Sequence, residues 1–166
     1  MLDLDLAAPQ RYRTLTIFPL VTPTPAELPY RLLAEALAAG TLAITELGAG
    51  TVPAVLAKNR GDEDVLILDG EQLIGARQNR TVNRTILLAA RTETEIPVSC
   101  MEQGRWRPVS DAFAPAPQHS PALLRKHARL VEAARAEEEG GPAPGVLAAA
   151  QHAVWREIDA YSAKLR

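Results

Sequence analysis

Between Thr41 and about Arg107 the chain is written in short apolar runs (TLAITEL, VPAVLAK, DVLILD, QLIGAR, RTVNRTILLA, EIPVSCME and RWRPV) divided by turn residues, with no helical period between them. No other feature constrains the fold as much. Strands this short and closely spaced leave no room for the helical crossovers that parallel neighbours need, so they favour antiparallel pairing in a sandwich or barrel. The expected class is α+β: a mainly antiparallel β-sandwich, jelly-roll or cupin-like, with one N-terminal helix and a C-terminal helical pair. A smaller open sheet packed on helices is the alternative.

The flanks carry different periods. Residues 14–21, TLTIFPLV, read as an opening strand that Pro19 confines to an edge or a bend. The Pro-rich TPTPAELP leads into YRLLAEALAAG, where Tyr30, Leu33, Ala34 and Leu37 recur at helical spacing. Pro29 suits the first turn there, and Gly40 a left-handed stop. After the connection DAFAPAPQHSP, Ser120 can accept a first orphan amide and Pro121 can open a helix. Its stripe is Leu123, Leu124, His127, Leu130, Val131 and Ala134. GGPAPG at 140–145 breaks that helix, and VLAAAQHAVWREIDAYSAKL supplies a second, with Val146, Ala150, Val154, Trp155, Ile158 and Tyr161 toward a packing surface. The pair is expected to pack against the β region or against another subunit, which would make a homo-oligomer. Residues 1–166 then form a single domain, a β-rich core of about 14–110 and a helical region of about 119–166. Such a length buries roughly 68–70% of the unfolded chain's surface, so one core suffices without staples.

Composition narrows the chemistry. Cys100 is the only cysteine, so there is no intrachain disulfide and no cysteine pair for zinc or an iron–sulfur cluster. The three histidines lie in the last third, and neither a metal nor a cofactor is expected. Asp3 and Asp5 stand where a secretory signal needs bases, and no run approaches the roughly 18 apolar residues of a membrane span. The expectation is a cytoplasmic protein with no membrane partner. A net charge of -2 argues against a general nucleic-acid binder, which needs a basic face to displace counterions.

Against that background, LDGEQLIGARQNRTVNR at 68–84 concentrates groups that carry charge or hydrogen-bond. Strand alternation decides which of them can meet. Ile96, Val98, Cys100 and Glu102 share one face of a strand, which puts a carboxylate at the end of an apolar stripe, where it needs a cationic partner. Arg77, Arg80 and Arg105 are the candidates. Arg80 and Arg84 alternate with Val82 and so point partly inward, and an inward arginine needs an acid or a bound anion. One reading is a structural network that pins loops. The other is a pocket for a small anionic ligand, since guanidinium forks match phosphate or carboxylate oxygens and amides read sugar hydroxyls or a base. In the second reading Arg77, Arg80 and Arg105 grip the anion and Gln78, Asn79 and Asn83 orient it, while Trp106 can stack a ring. Asp69, Glu71 and Glu102 are the candidate acid/base groups for hydrolysis or transfer. Cys100 has no histidine in the β region to activate it and reads as a buried structural thiol.

The run VLILDGEQLIGARQNRTVNRTILL, then IPVSCMEQGRW and later QHAVW, resembles the ARG-and-rhodanese-phosphatase-superfamily-associated protein domain, a bacterial family. Its motif positions fall here on Asp69, Gly70, Glu71, Gly75, Gln78, Asn79, Arg80, Asn83, Cys100, Glu102, Gly104, Arg105 and Trp106, with Gln151 and Trp155 in the last helix. Arg77 stands where the resemblance leads one to expect lysine. The family name implies association with ADP-ribosylglycohydrolases and rhodanese-like phosphatases, and so with ADP-ribose or nucleotide metabolism. The resemblance implies no particular reaction. The competing expectation is a non-catalytic interaction or scaffold module whose C-terminal helices mediate assembly.

Overall fold

The computed structural model describes residues 3–23, 29–48, 53–136 and 144–164. The described chain opens with β1 (Asp5–Leu6), β2 (Gln10–Tyr12), β3 (Leu15–Ile17) and β4 (Leu20–Val21), which among the described residues pair only with one another, β1 with β4 and β2 with β3. Pro19 interrupts the expected strand at 14–21 between β3 and β4, because proline has no N–H to continue a ladder.

The helical spacing at 30–40 is only partly used. Tyr30–Leu32 is a strand, β5, and the helix α1 covers Leu33–Ala38, stopping before Gly40 at φ +71. Leu33 and Ala36 face the core. Tertiary pairing overrides the local period at Tyr30, since β5 lies parallel to β8 (Asp64–Ile67).

The central runs become β6 (Leu42–Glu46), β7 (Ala54–Asn59), β8, β9 (Glu71–Gly75), β10 (Arg80–Val82), β11 (Ile86–Leu88) and β12 (Glu93–Cys100). RTVNRTILLA is thus two strands in two sheets. RWRPV forms no strand, and the last one is β13 (Phe113–His119), inside the segment read as a connection. Pro115 and Pro117 disguise it in the sequence. Here they are tolerated because β13 is an edge, and its register against β9 shifts between Pro115 and His119. The larger sheet runs β13-β9-β10-β12-β7-β6, antiparallel throughout and curled, and the smaller runs β11-β8-β5.

Alternation sorts the side chains as the period-2 pattern requires. Ile44, Val55, Val65, Ile67, Val82 and Val98 turn inward with Leu33 into one core, each worth about 1.5–3 kcal/mol when fully buried. The opposite face of β10 and β12 is covered by α2 (Ala122–Ala136) and α3 (Pro144–Lys164), which pack on β12 of the same chain through Leu124, Val131 and Val154. Leu123 and Leu130 of α2 and Tyr161 of α3, expected in the packing stripes, are exposed. Residues 140–143 of the predicted break lie outside the described residues. Among those described, no helix is long and apolar enough to cross a membrane.

Candidate functional site

Arg80 is the largest fully buried side chain among the described residues. It sits on β10 opposite Cys100 of β12, flanked on the same face by Val82 and Val98. The backbone groups of Cys100 point away from β10, so the two residues form the narrow, non-hydrogen-bonded type of antiparallel pair, whose side chains stand closest. The Arg80 Nη1 accordingly donates to Cys100 Sγ. A guanidinium at this depth needs an anion, and Glu46 supplies it, Oε2 lying 3.4 Å from Nη2. The other Glu46 oxygen accepts the Arg77 backbone N–H at 3.1 Å. Glu46 follows Leu42 and Ile44 at period 2, so the alternation that flags Glu102 flags it equally. It was the acid the sequence reading missed. Burial pushes the Cys100 thiol up to about 11, a rise the nearby Arg80 charge only moderates. A thiol held neutral in this way is no nucleophile.

Trp106 caps this cluster, 42% exposed. The guanidinium carbons of Arg80 and Arg77 lie 5.7 Å and 5.8 Å from its ring centroid, within cation–π range. The two arginines differ in one respect. Arg80 has Glu46, whereas among the described residues no carboxylate pairs with the Arg77 side chain. Beside them Gln78 is 5% exposed, and its Oε1 is buried without a hydrogen-bond partner among the described residues. A shallow bay of about 560 Å³ lies over Gly104, Arg105, Trp106 and Arg107.

Arg105 does different work. Its Nε donates to Glu102 Oε2 at 2.7 Å and its Nη2 also reaches that oxygen, while Nη1 donates to Ala76 O at 3.1 Å and Nη2 to Asn79 Oδ1 at 3.2 Å. Glu102 also accepts the Asn79 N–H at 2.9 Å, and Asn79 Oδ1 accepts the Gly75 N–H at 2.9 Å. Asn79, Glu102 and Arg105 therefore clamp the loop after β9 from both ends. Burial pushes the Glu102 carboxyl up, but the Arg105 hydrogen bond, the Asn79 amide and the guanidinium charge outweigh it and hold the group below the ordinary carboxylate range. Gly75, at φ +117, lets the backbone pass the Ser110 hydroxyl, where a Cβ would stand 2.4 Å from the oxygen. That hydroxyl accepts the Ala76 N–H and donates to Ala112 O, both at 2.8 Å.

Asp69 and Glu71 lie at the other end of β9, about 13 Å away at strand rise. Glu71 Oε2 accepts the Leu68 N–H at 2.8 Å and closes the turn. Burial raises the Glu71 carboxyl above its usual value, against the opposing pull of that amide and of His119. Asp69 meets Arg125 Nη1 at 3.4 Å and Arg129 Nη2, fastening α2 to the sheet. Gly70 makes room for this contact: at φ +85, its Cβ would stand 2.3 Å from Arg125 Cδ. Arg84 leaves the core face after β10 and pairs with Glu132 at 3.1 Å.

The remaining polar residues face the helices. Asn83 Oδ1 accepts from Ser99 Oγ at 2.9 Å. Ser120 does not spend its hydroxyl on the α2 amides; it meets Thr81 Oγ1 at 2.9 Å and Gln72 Nε2 at 3.2 Å. Gln151 Oε1 accepts the Cys100 N–H at 3.1 Å and its Nε2 donates to Cys100 O at 2.9 Å. Along β12 the preceding slot of the ladder, Val98 N–H, is filled by Pro53 O, and among the described residues no strand partners the next one. The Gln151 amide takes up both backbone groups of Cys100 as a neighbouring strand would.

The polar residues singled out in the sequence thus divide into three groups. Arg77, Gln78, Arg80 and Trp106 gather at one end, with Asn79, Glu102 and Arg105 as the clamp beside them. Asp69 and Glu71 belong to a separate turn, and Asn83 to the helix-covered face. Among the described residues no group of three or more His, Cys, Asp or Glu side chains could hold a metal ion.

A sequence model of the ARG and Rhodanese-Phosphatase-superfamily-associated Protein domain matches residues 3–166, and the chain belongs to that family. No curated protein and no solved structure matches it.

Proposed function

We propose that this member of the family binds a small anionic ligand bearing a flat ring, of the nucleotide or ADP-ribose class, over Trp106 and Arg77. The observation that carries the reading is the Arg77 guanidinium, half-buried beside an exposed indole face with no carboxylate partner among the described residues. A cation left unpaired in a partly desolvated setting is poised for an external anion, and Trp106 offers the stacking surface a base would use. Gln78, read from the sequence as orienting the ligand, is 5% exposed with its amide oxygen sealed from solvent, so it would meet a sugar hydroxyl only through a rearrangement of the loop after β9. Arg80 sets the electrostatics from beneath, while Asn79 and Arg105 hold the rim.

Hydrolysis or transfer is the reaction class such a ligand would offer. Of the three candidate acids only Glu102 stands on this side, and Arg105 keeps it ionised below the ordinary carboxylate range, which rules against an acid and makes it a weak base. A nucleotide-like ligand also fits the cytoplasmic location read from the sequence. A jelly-roll or cupin-like sandwich remains the finer architectural reading that goes with a ligand-binding domain of this size. The second reading is a scaffold module, favoured by Leu123 and Leu130, which stand exposed seven residues apart on α2.

The test is thermal shift at low salt with ADP, ADP-ribose, ribose 5-phosphate and inorganic phosphate. A ligand at a hundred times its Kd adds about 2.7 kcal/mol, a shift of about 5–10 °C for a domain of this length. The shift should appear with a ring-bearing phosphate and disappear in Arg77→Ala, whose melting temperature alone should hardly change. No shift with any of them, or an equal shift in Arg77→Ala, would overturn the reading.

A further inference from the structure

The first strands form one amphipathic hairpin. Tyr12 pairs with Leu15 and Gln10 with Ile17 around a two-residue tip, where Arg13 has φ 53, and Leu6 pairs with Leu20 nearer the base. Paired residues share a face, so Tyr12, Leu15 and Ile17 form an apolar side, with Arg11 and Thr16 on the other. Eight large apolar side chains of this arm are 45–69% exposed. A two-stranded hairpin is marginal at best in water unless a third element covers its apolar face. Among the described residues no strand of the body pairs with it.

A matching face lies on the small sheet. Leu66 of β8 pairs with Leu32 of β5 on one side and Leu87 of β11 on the other, so the three form a row across the outer surface. Leu32 and Leu87 are 42% and 49% exposed, and Leu68 extends the row. Each arm strand, about eight residues long, reaches about 25 Å, more than the roughly 15 Å width of three strands.

We propose that the hairpin is a docking arm for a second copy of this chain, its apolar side laid across the Leu32–Leu66–Leu87 face of the partner, in a reciprocal exchange. Both halves of the contact are carried by one chain, which is what an isologous two-fold interface requires. Tyr12, Leu15 and Ile17 with the leucine row expose roughly 600 Å² of apolar side chain per chain, so a reciprocal contact removes roughly 1,200 Å² from water in all, the lower end of what a stable interface buries. A lipid surface is the poorer occupant, because Asp3 and Asp5 offset Arg11 and Arg13 and leave the arm without the basic excess that anionic lipids attract. The family match begins at residue 3, so the arm belongs to the domain itself.

Sedimentation velocity of the full chain tests this. The wild type should sediment at twice 17.9 kDa at micromolar concentration, and Ile17→Asp and Leu87→Asp should each be monomeric with the fold kept by circular dichroism. An equimolar mixture of Ile17→Cys and Leu87→Cys chains treated with a short bis-maleimide should give a crosslinked pair, which the buried Cys100 does not confuse. A monomeric wild type, a dimer that survives both aspartates, or crosslinking only within an Ile17→Cys/Leu87→Cys double variant at high dilution would overturn the proposal. So would a monomer that cosediments with anionic vesicles through Ile17. The thermal shift with ring-bearing phosphates is independent of every one of these outcomes, so either proposal can fail alone.

Discussion

Replacing Gln151 with alanine removes the amide that completes the β12 ladder. Two hydrogen bonds disappear, 3.1 Å and 2.9 Å long, and the Cys100 N–H and C=O are left without partners beneath α3. Each buried polar group stranded in this way costs about 1–3 kcal/mol, and Gln151 is only 8% exposed, so water restores little. The loss should be about 2–4 kcal/mol, or about 5–15 °C in melting temperature for this length. Gln151→Glu should be at least as damaging, because a carboxylate can accept from the N–H but cannot donate to the carbonyl. Urea unfolding followed by circular dichroism measures both, with exposed Arg156→Ala on the same helix as the control, expected within about 0.5 kcal/mol of wild type. If Gln151→Ala also falls within about 0.5 kcal/mol, the idea that a side-chain amide substitutes for a strand is wrong.

Three further outcomes follow from the same geometry. Glu71 has a raised folded-state pKa, so its contribution is favourable below the ordinary glutamate range and is lost as pH rises through the folded value; Glu71→Gln should therefore melt higher than wild type at pH 8, with the gap closing below about pH 4.3. Cys100, buried with its thiol near 11, should resist Ellman's reagent at pH 8 in the native state and react at once in urea. Gly75→Ala combines a disfavoured positive φ with a 2.4 Å approach to Ser110 Oγ and should cost about 1–3 kcal/mol in urea unfolding, loosening the Asn79–Arg105 clamp.

Much of this was legible in the sequence, for identifiable reasons. Period-2 alternation placed Arg80 inward with Val82, and Cys100 with Ile96 and Val98, because sheet geometry leaves no other choice once one face is apolar. The same rule applied to Leu42, Ile44 and Glu46 would have found the carboxylate that answers Arg80. The β13 strand was hidden because prolines read as loop unless the strand is known to be an edge, which is a property of the assembled sheet. Likewise, the partners of Asp69 come from α2, 56 and 60 residues away, and no local pattern announces a contact at that separation. Tyr30 shows the converse failure, a helical period overruled by parallel pairing with β8.

The proposed ligand contact can be observed at the residue that makes it. Trp106 and Trp155 are the two tryptophans, so Trp155→Phe leaves Trp106 as the only indole reporter. Titration of that protein with ADP-ribose and with ADP at low salt should quench or shift Trp106 emission along a saturable curve, and adding Arg77→Ala should abolish the response. Emission that stays unchanged up to millimolar ligand, or that responds equally without Arg77, would contradict the account.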